Sequence, residues 1–167
     1  MKENIHRIPA NRDDLNLYCQ LGEALLKTQV AEQALSYSIT LKMNPAETKE
    51  RADEFLKQHQ TYTLGKAIKI AINEKLYSLP LQDELTTFLE QRNWLIHKLI
   101  IGNEPDFNGG KIKEELLEKI KSVSDKAESI QRVIEYDLID FCYSQGKNMS
   151  KSLELLKLQD QGIRIRK

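Results

Sequence analysis

A chain of 167 residues, 40% hydrophobic and 30% charged with seven glycines and four prolines, is long enough to bury one core, and its composition excludes a disordered protein. Its formal net charge is zero, so no global field draws it to nucleic acid or to an anionic membrane, and any such contact has to come from a local patch. Cys19 and Cys142 match no zinc or Cys-x-x-Cys spacing and read as reduced core or near-core thiols; with no run of signal-peptide or membrane length, the expected location is cytoplasmic.

From Asp13 to about Leu41, the residues Leu17, Leu21, Leu25, Leu35 and Ile39 recur at helical spacing, with Asp13 or Asp14 placed to cap a long first helix. Asn44-Pro45-Ala46-Glu47 reads as an N-cap, a first-turn proline and a capping-box glutamate, opening a charged second helix to about Gln60. A third helix runs from Thr63 or Leu64 to Tyr77. Pro80 opens a fourth, through Leu85, Phe88, Leu89, Arg92, Leu95 and Ile96 to about Ile101, where Gly102-Asn103-Glu104-Pro105 breaks it. Ile112, Leu116, Ile120, Val123, Ala127, Ile130, Ile134, Leu138 and Phe141 then mark a long fifth helix to about Ser144. Gly146 is placed as its C-cap, and Met149 to Leu158 form a short docked helix before the basic tail Gly162 to Lys167. No segment alternates as a strand does. The expected fold is therefore all-α, an antiparallel bundle of about five helices over residues 1–145 with a C-terminal extension over residues 146–167.

The commonest hydrolase and nucleotide motifs are absent, namely the Gly-x-Ser-x-Gly elbow, the P-loop and Gly-x-Gly-x-x-Gly. Asn108-Gly109-Gly110-Lys111 reads first as a flexible turn with a cap and second as a phosphate cradle. His6, His59 and His97 show no paired ligand spacing, so neither a metal nor another cofactor is expected. The residues left are those of Glu90-Gln91-Arg92-Asn93-Trp94-Leu95-Ile96-His97-Lys98.

On a wheel of about 100° per residue, Arg92 falls roughly 20° from the centre of the apolar face made by Leu85, Phe88, Leu89, Leu95, Ile96 and Leu99. Glu32 falls in line with Leu21, Leu25 and Ile39 on the first helix. Burying either charge alone costs several kcal/mol, so Glu32 and Arg92 are expected to meet through bidentate hydrogen bonds. Asn93 and His97 lie off that face, about 40° apart, and point into the same space. Trp94 and Ile101 flank His97 and leave Lys98 as the only charge between them. This suggests a second buried surface, most simply a homodimer interface.

With Arg92-Asn93-x-x-x-His97 late in a core helix, an inward Glu32 on the long first helix and a long helix following, the chain resembles the HEPN superfamily over roughly residues 13 to 145. That family's four- to five-helix domains carry an Arg-x(4–6)-His signature, often with a polar residue directly after the arginine. The resemblance implies a homodimer that pairs two motifs across a cleft and cleaves RNA without a metal, in a toxin or defence role with an antitoxin or other partner protein. Carried over by residue, His97 is the proton-transfer group, Arg92 the phosphate or transition-state contact, and Asn93 the residue orienting substrate or histidine. Toxin members paired with a nucleotidyltransferase have a tyrosine two positions after the histidine, where this chain has Leu99. Two other readings stand beside it. In one, the chain is a non-catalytic dimer serving as a protein-interaction module, with Arg92 as a strut. In the other it binds RNA through Arg164, Arg166 and Lys167 with Lys147, Lys151 and Lys157.

Overall fold

The structure, a computed structural model, describes residues 11–44, 48–107 and 111–163. All its regular structure there is helical: α1 (Arg12–Met43), α2 (Lys49–Gln60), α3 (Leu64–Asn73), α4 (Leu79–Asn93), a π-helical turn (Trp94–Lys98), a four-residue α5 (Glu104–Phe107), α6 (Glu114–Ser144) and α7 (Ser150–Asp160). The chain forms an all-α bundle. No helix among the described residues is long and apolar enough to cross a membrane.

Local chemistry sets the helix ends, and in several places not the chemistry expected from sequence. Asn11, rather than Asp13 or Asp14, caps α1: its side chain accepts from the Asp14 amide at 2.9 Å, and the Asp14 carboxylate accepts from the Asn11 amide at 3.0 Å. Asn44 ends α1 instead of starting α2, donating to the Thr40 carbonyl at 3.0 Å. Thr48 takes over as the cap of α2, while Pro45, Ala46 and Glu47 lie outside the described residues. The third helix stops at Asn73, because Lys75 adopts φ +52°, and Leu76 and Lys75 donate back to Ala71 and Ile72. Gly146 performs the same closure at the end of α6 without the Cβ penalty that Lys75 carries, the Lys147 amide reaching the Cys142 carbonyl.

The three long helices carry the core. Lys27 pairs with Glu128 at 2.8 Å and Lys42 pairs with Asp137, so α1 and α6 run in the same direction; Lys126 pairs with Glu84, and α4 runs against both. Small side chains at Ala24, Thr28, Ala31, Ser124 and Ala127 let α1 and α6 approach closely. The apolar residues fall into two clusters. One gathers Leu35, Ile39, Ile68, Leu85, Phe88, Ile130 and Ile134, with α3 as its lid; the other gathers Leu17, Ala24, Leu95, Leu99, Leu116, Ile120 and Val123. Along each long helix the change of cluster comes at a polar residue, Thr28 on α1, Ser124 on α6, and Gln91 and Arg92 on α4, which together form a polar layer across the bundle.

Two polar tethers close the end that carries α2 and α3. The Lys42 ammonium, nearly buried, donates to the Leu76 carbonyl at 2.8 Å and sits 4.4 Å from the Tyr77 ring centroid; the Tyr77 hydroxyl donates to Ser38 Oγ at 2.8 Å. His59 of α2 is buried with Nδ1 2.7 Å from Thr40 Oγ1, and burial lowers its pKa below the ordinary 6.5. The unfolded chain therefore takes up a proton that the fold excludes. That contribution to stability is complete above pH 6.5 and is lost as pH falls through the lowered folded value. The melting temperature is expected to drop as pH falls below 6.5, and His59→Gln to flatten this slope. An identical slope in the variant would assign the effect to carboxylates instead.

Candidate functional site

The α-helical path of α4 ends one residue beyond Arg92, and Trp94–Lys98 closes its hydrogen bonds in the wider i→i+5 pattern. This matters for the motif. In an uninterrupted α-helix, Arg92 and His97, five residues apart, would point roughly 140° away from one another. The wider turn accommodates one extra residue per circuit and so carries His97 back toward the bearing of Arg92. Leu95 and Leu99 remain buried in the second cluster and anchor the turn from beneath.

Arg92 and Glu32 meet, but in a looser arrangement than the bidentate one expected. Arg92 Nε donates to Glu32 Oε1 at 2.8 Å, and Nη1 reaches only to Asn93 Oδ1 at 3.5 Å. Among the described residues Nη2 has no acceptor, so part of the guanidinium fork is free to take an anion. Nor is the pair sealed in the centre of an apolar face. It lies in the polar layer, with the Arg92 and Glu32 side chains 24% and 29% exposed. Glu32 opens onto a depression of about 340 Å³ that it shares with Gln29, Gln33, Ser36, Tyr62, Leu64 and Ala67.

His97 is exposed, and among the described residues its ring has no hydrogen-bond partner, which leaves both nitrogens available. Asn93, half-buried, is held on the Arg92 side by the contact at its Oδ1. The two residues expected to flank His97 part company. Trp94 is half-buried against the second cluster and has the Lys119 ammonium of α6 4.1 Å from its ring centroid, so it is an internal contact. Ile101 is 74% exposed, and Ile96 and Ile100 on the same segment as His97 are exposed as well. The sequence reading of one flanked, buried face thus becomes an internal tryptophan and an external isoleucine patch.

The remaining candidates offer less. Of the other histidines, His59 is enclosed with Thr40 and His6 lies outside the described residues. Cys142 is buried as expected, whereas Cys19 is exposed, on the solvent side of α1. Lys111 is exposed, and Asn108, Gly109 and Gly110 lie outside the described residues, as do Arg164, Arg166 and Lys167 of the tail. Lys151 and Lys157 are exposed on α7, which docks through Asp160 to Arg132 and Tyr136 of α6; Lys147, also exposed, has an interaction of its own. Among the described residues no three His, Cys, Asp or Glu side chains gather as a metal site requires.

Sequence reasoning missed the π-helical turn, because Leu85, Phe88, Leu95 and Leu99 fit an α-helical wheel and show no break. It also missed Thr28 and Ser124, whose small polar side chains mark the layer in which Arg92 sits. Comparison of the chain with protein-family models, with curated proteins and with solved structures gives no match, so the site is interpreted from its own chemistry.

Proposed function

We propose that the chain is a HEPN-type, metal-independent endoribonuclease, acting in a toxin or defence role, whose cleft is completed when the isoleucine patch of one copy meets that of another. What supports this reading is the π-helical turn, which carries an exposed His97 without a hydrogen-bond partner among the described residues on the segment that follows Arg92, whose Nη2 has no acceptor among them. π-helical turns are found frequently at functional sites.

RNA provides its own nucleophile in the 2′-hydroxyl. The reaction needs one group to take that proton, one to return a proton to the departing 5′-oxygen, and a cation at the phosphate. Imidazoles from two copies meet the first two needs, the free edge of Arg92 meets the third, and Asn93 steadies the guanidinium. The products are a 2′,3′-cyclic phosphate and a 5′-hydroxyl. The test is a mixed RNA substrate incubated with the purified chain in EDTA. Fragments ending in cyclic phosphate are expected, and RNA left intact at stoichiometric protein would overturn the proposal.

One observation favours a second reading, a non-catalytic interaction module: the Nε of Arg92 is committed to Glu32, as a structural strut's would be. Under that reading the RNA stays intact, and the isoleucine patch binds a partner protein.

A further inference from the structure

The solvent side of α1 is unusually apolar. Leu15, Cys19, Gly22, Leu26, Val30, Gln33 and Tyr37 all lie exposed on it, in steps of four, three and four residues that repeat after eleven. Eleven residues make three helical turns and only about 20° more, so the row runs nearly straight for about 33 Å. None of the seven is charged, in a chain that is 30% charged, and Leu15 and Leu26 are 56% and 62% exposed. The buried face of the same helix, Leu17, Ala24, Ala31 and Leu35, is a different row. Beyond Tyr37 the chain covers the helix itself, His59 of α2 bonding Thr40.

Gly22 shows what the row accommodates. Nothing lies within 4 Å of where its Cβ would be, so no packing within the chain requires a glycine, and a glycine in mid-helix costs stability. We propose that a second copy of this chain lies antiparallel along this row, α1 against α1, with the two-fold axis at Leu26. Leu15 then meets the other copy's Tyr37, Cys19 meets Gln33, Val30 fills the hollow over Gly22, and Leu26 meets itself. The row is complementary to itself in this sense only. A parallel pairing in register would set Gly22 on Gly22 and leave a void, whereas the antiparallel one sets Val30 over Gly22 on both sides of the axis, in the two-fold arrangement of an isologous contact.

This seam lies on a different helix from the exposed isoleucines around His97, which follow α4, and does not depend on the catalytic reading. The test is the solution mass of the full chain by sedimentation. Leu26→Glu is expected to cut the mass at least by half at a concentration where the wild type is associated. Gly22→Leu, which the open space around that position tolerates, should do the same while leaving helicity unchanged. A short bis-maleimide should join two copies of a Leu26→Cys variant made in a Cys19→Ser background. It should not join wild-type chains through Cys19, since the two Cys19 positions lie roughly 20 Å apart along the pair. Ile101→Glu reports on the isoleucine surface alone, so loss of the catalytic dimer and loss of the seam are read separately. A wild type monomeric at about 100 μM, an unchanged mass for Leu26→Glu, or cross-linking through Cys19 would each overturn the proposal.

Discussion

His97→Ala is expected to lower RNA cleavage by about 10²–10⁴-fold, the usual contribution of a positioned proton-transfer group, while leaving the melting temperature within a degree or two of wild type. Both halves follow from where the side chain sits. The imidazole is exposed and, among the described residues, makes no hydrogen bond, so its removal opens no cavity and strands no buried partner. Substitution at such a position costs within about 0.5 kcal/mol. The backbone of the π-helical turn is held by Leu95 and Leu99 beneath it rather than by the ring. The measurement is initial cleavage rate in EDTA beside thermal unfolding of the same preparation. Cleavage that persists at the wild-type rate in a preparation free of other nucleases would remove His97 from the chemistry.

The second large effect belongs to Arg92. Arg92→Met is expected to cost about 10²–10³-fold in cleavage, the scale seen when one donor to a developing oxyanion is lost. Its structural cost should be modest. Breaking a fully buried pair costs about 3–5 kcal/mol, but water reaches both partners here, with 24% and 29% of the side chains exposed, and about 1–2 kcal/mol is expected. Glu32→Gln separates the roles: it removes the same charge pairing and should cost similar stability, yet leave cleavage within about tenfold of wild type because the guanidinium remains. If Glu32→Gln abolishes cleavage as fully as Arg92→Met, Glu32 is a positioning residue for the guanidinium. If Arg92→Met cleaves normally, Arg92 is a strut and the phosphate contact lies elsewhere. Urea unfolding curves and cleavage rates on the three proteins decide among these.

Much of the bundle was legible because its signals are periodic. Leu17, Leu35 and Ile39 on α1, and Leu116, Ile120 and Ile134 on α6, are buried where a 3.6-residue period puts them. Glu32 and Arg92 announced themselves as charges out of place on apolar stripes, and a charge so placed implies a partner. Helix ends were harder to read, because several residues compete to cap and the choice depends on backbone geometry. Asn11 wins over Asp13 through the reciprocal bond from Asp14, and Lys75 ends α3 in a conformation that glycine usually takes. The π-helical turn leaves no compositional trace, and without it the wheel put Trp94 on the free face beside His97 when it packs toward α6. Cys19 was read as near-core from its residue type alone, a weak guide on a helix whose outer face is itself apolar.

The polar layer across the bundle also bears on how the molecule opens. The cluster holding Leu85 and Phe88 is roofed by α3 and tied to it through Lys42 and Tyr77, whereas the cluster holding Leu95 and Leu99 has neither that roof nor those tethers. A core interrupted by Thr28, Ser124 and Arg92 transmits packing less completely than a continuous one, so its halves are expected to open as separate cooperative units of unequal depth. The shallower unit contains the start of α1 and the turn bearing His97. Amide protons there are expected to exchange faster than those of the roofed half, a difference that native-state hydrogen exchange would read directly.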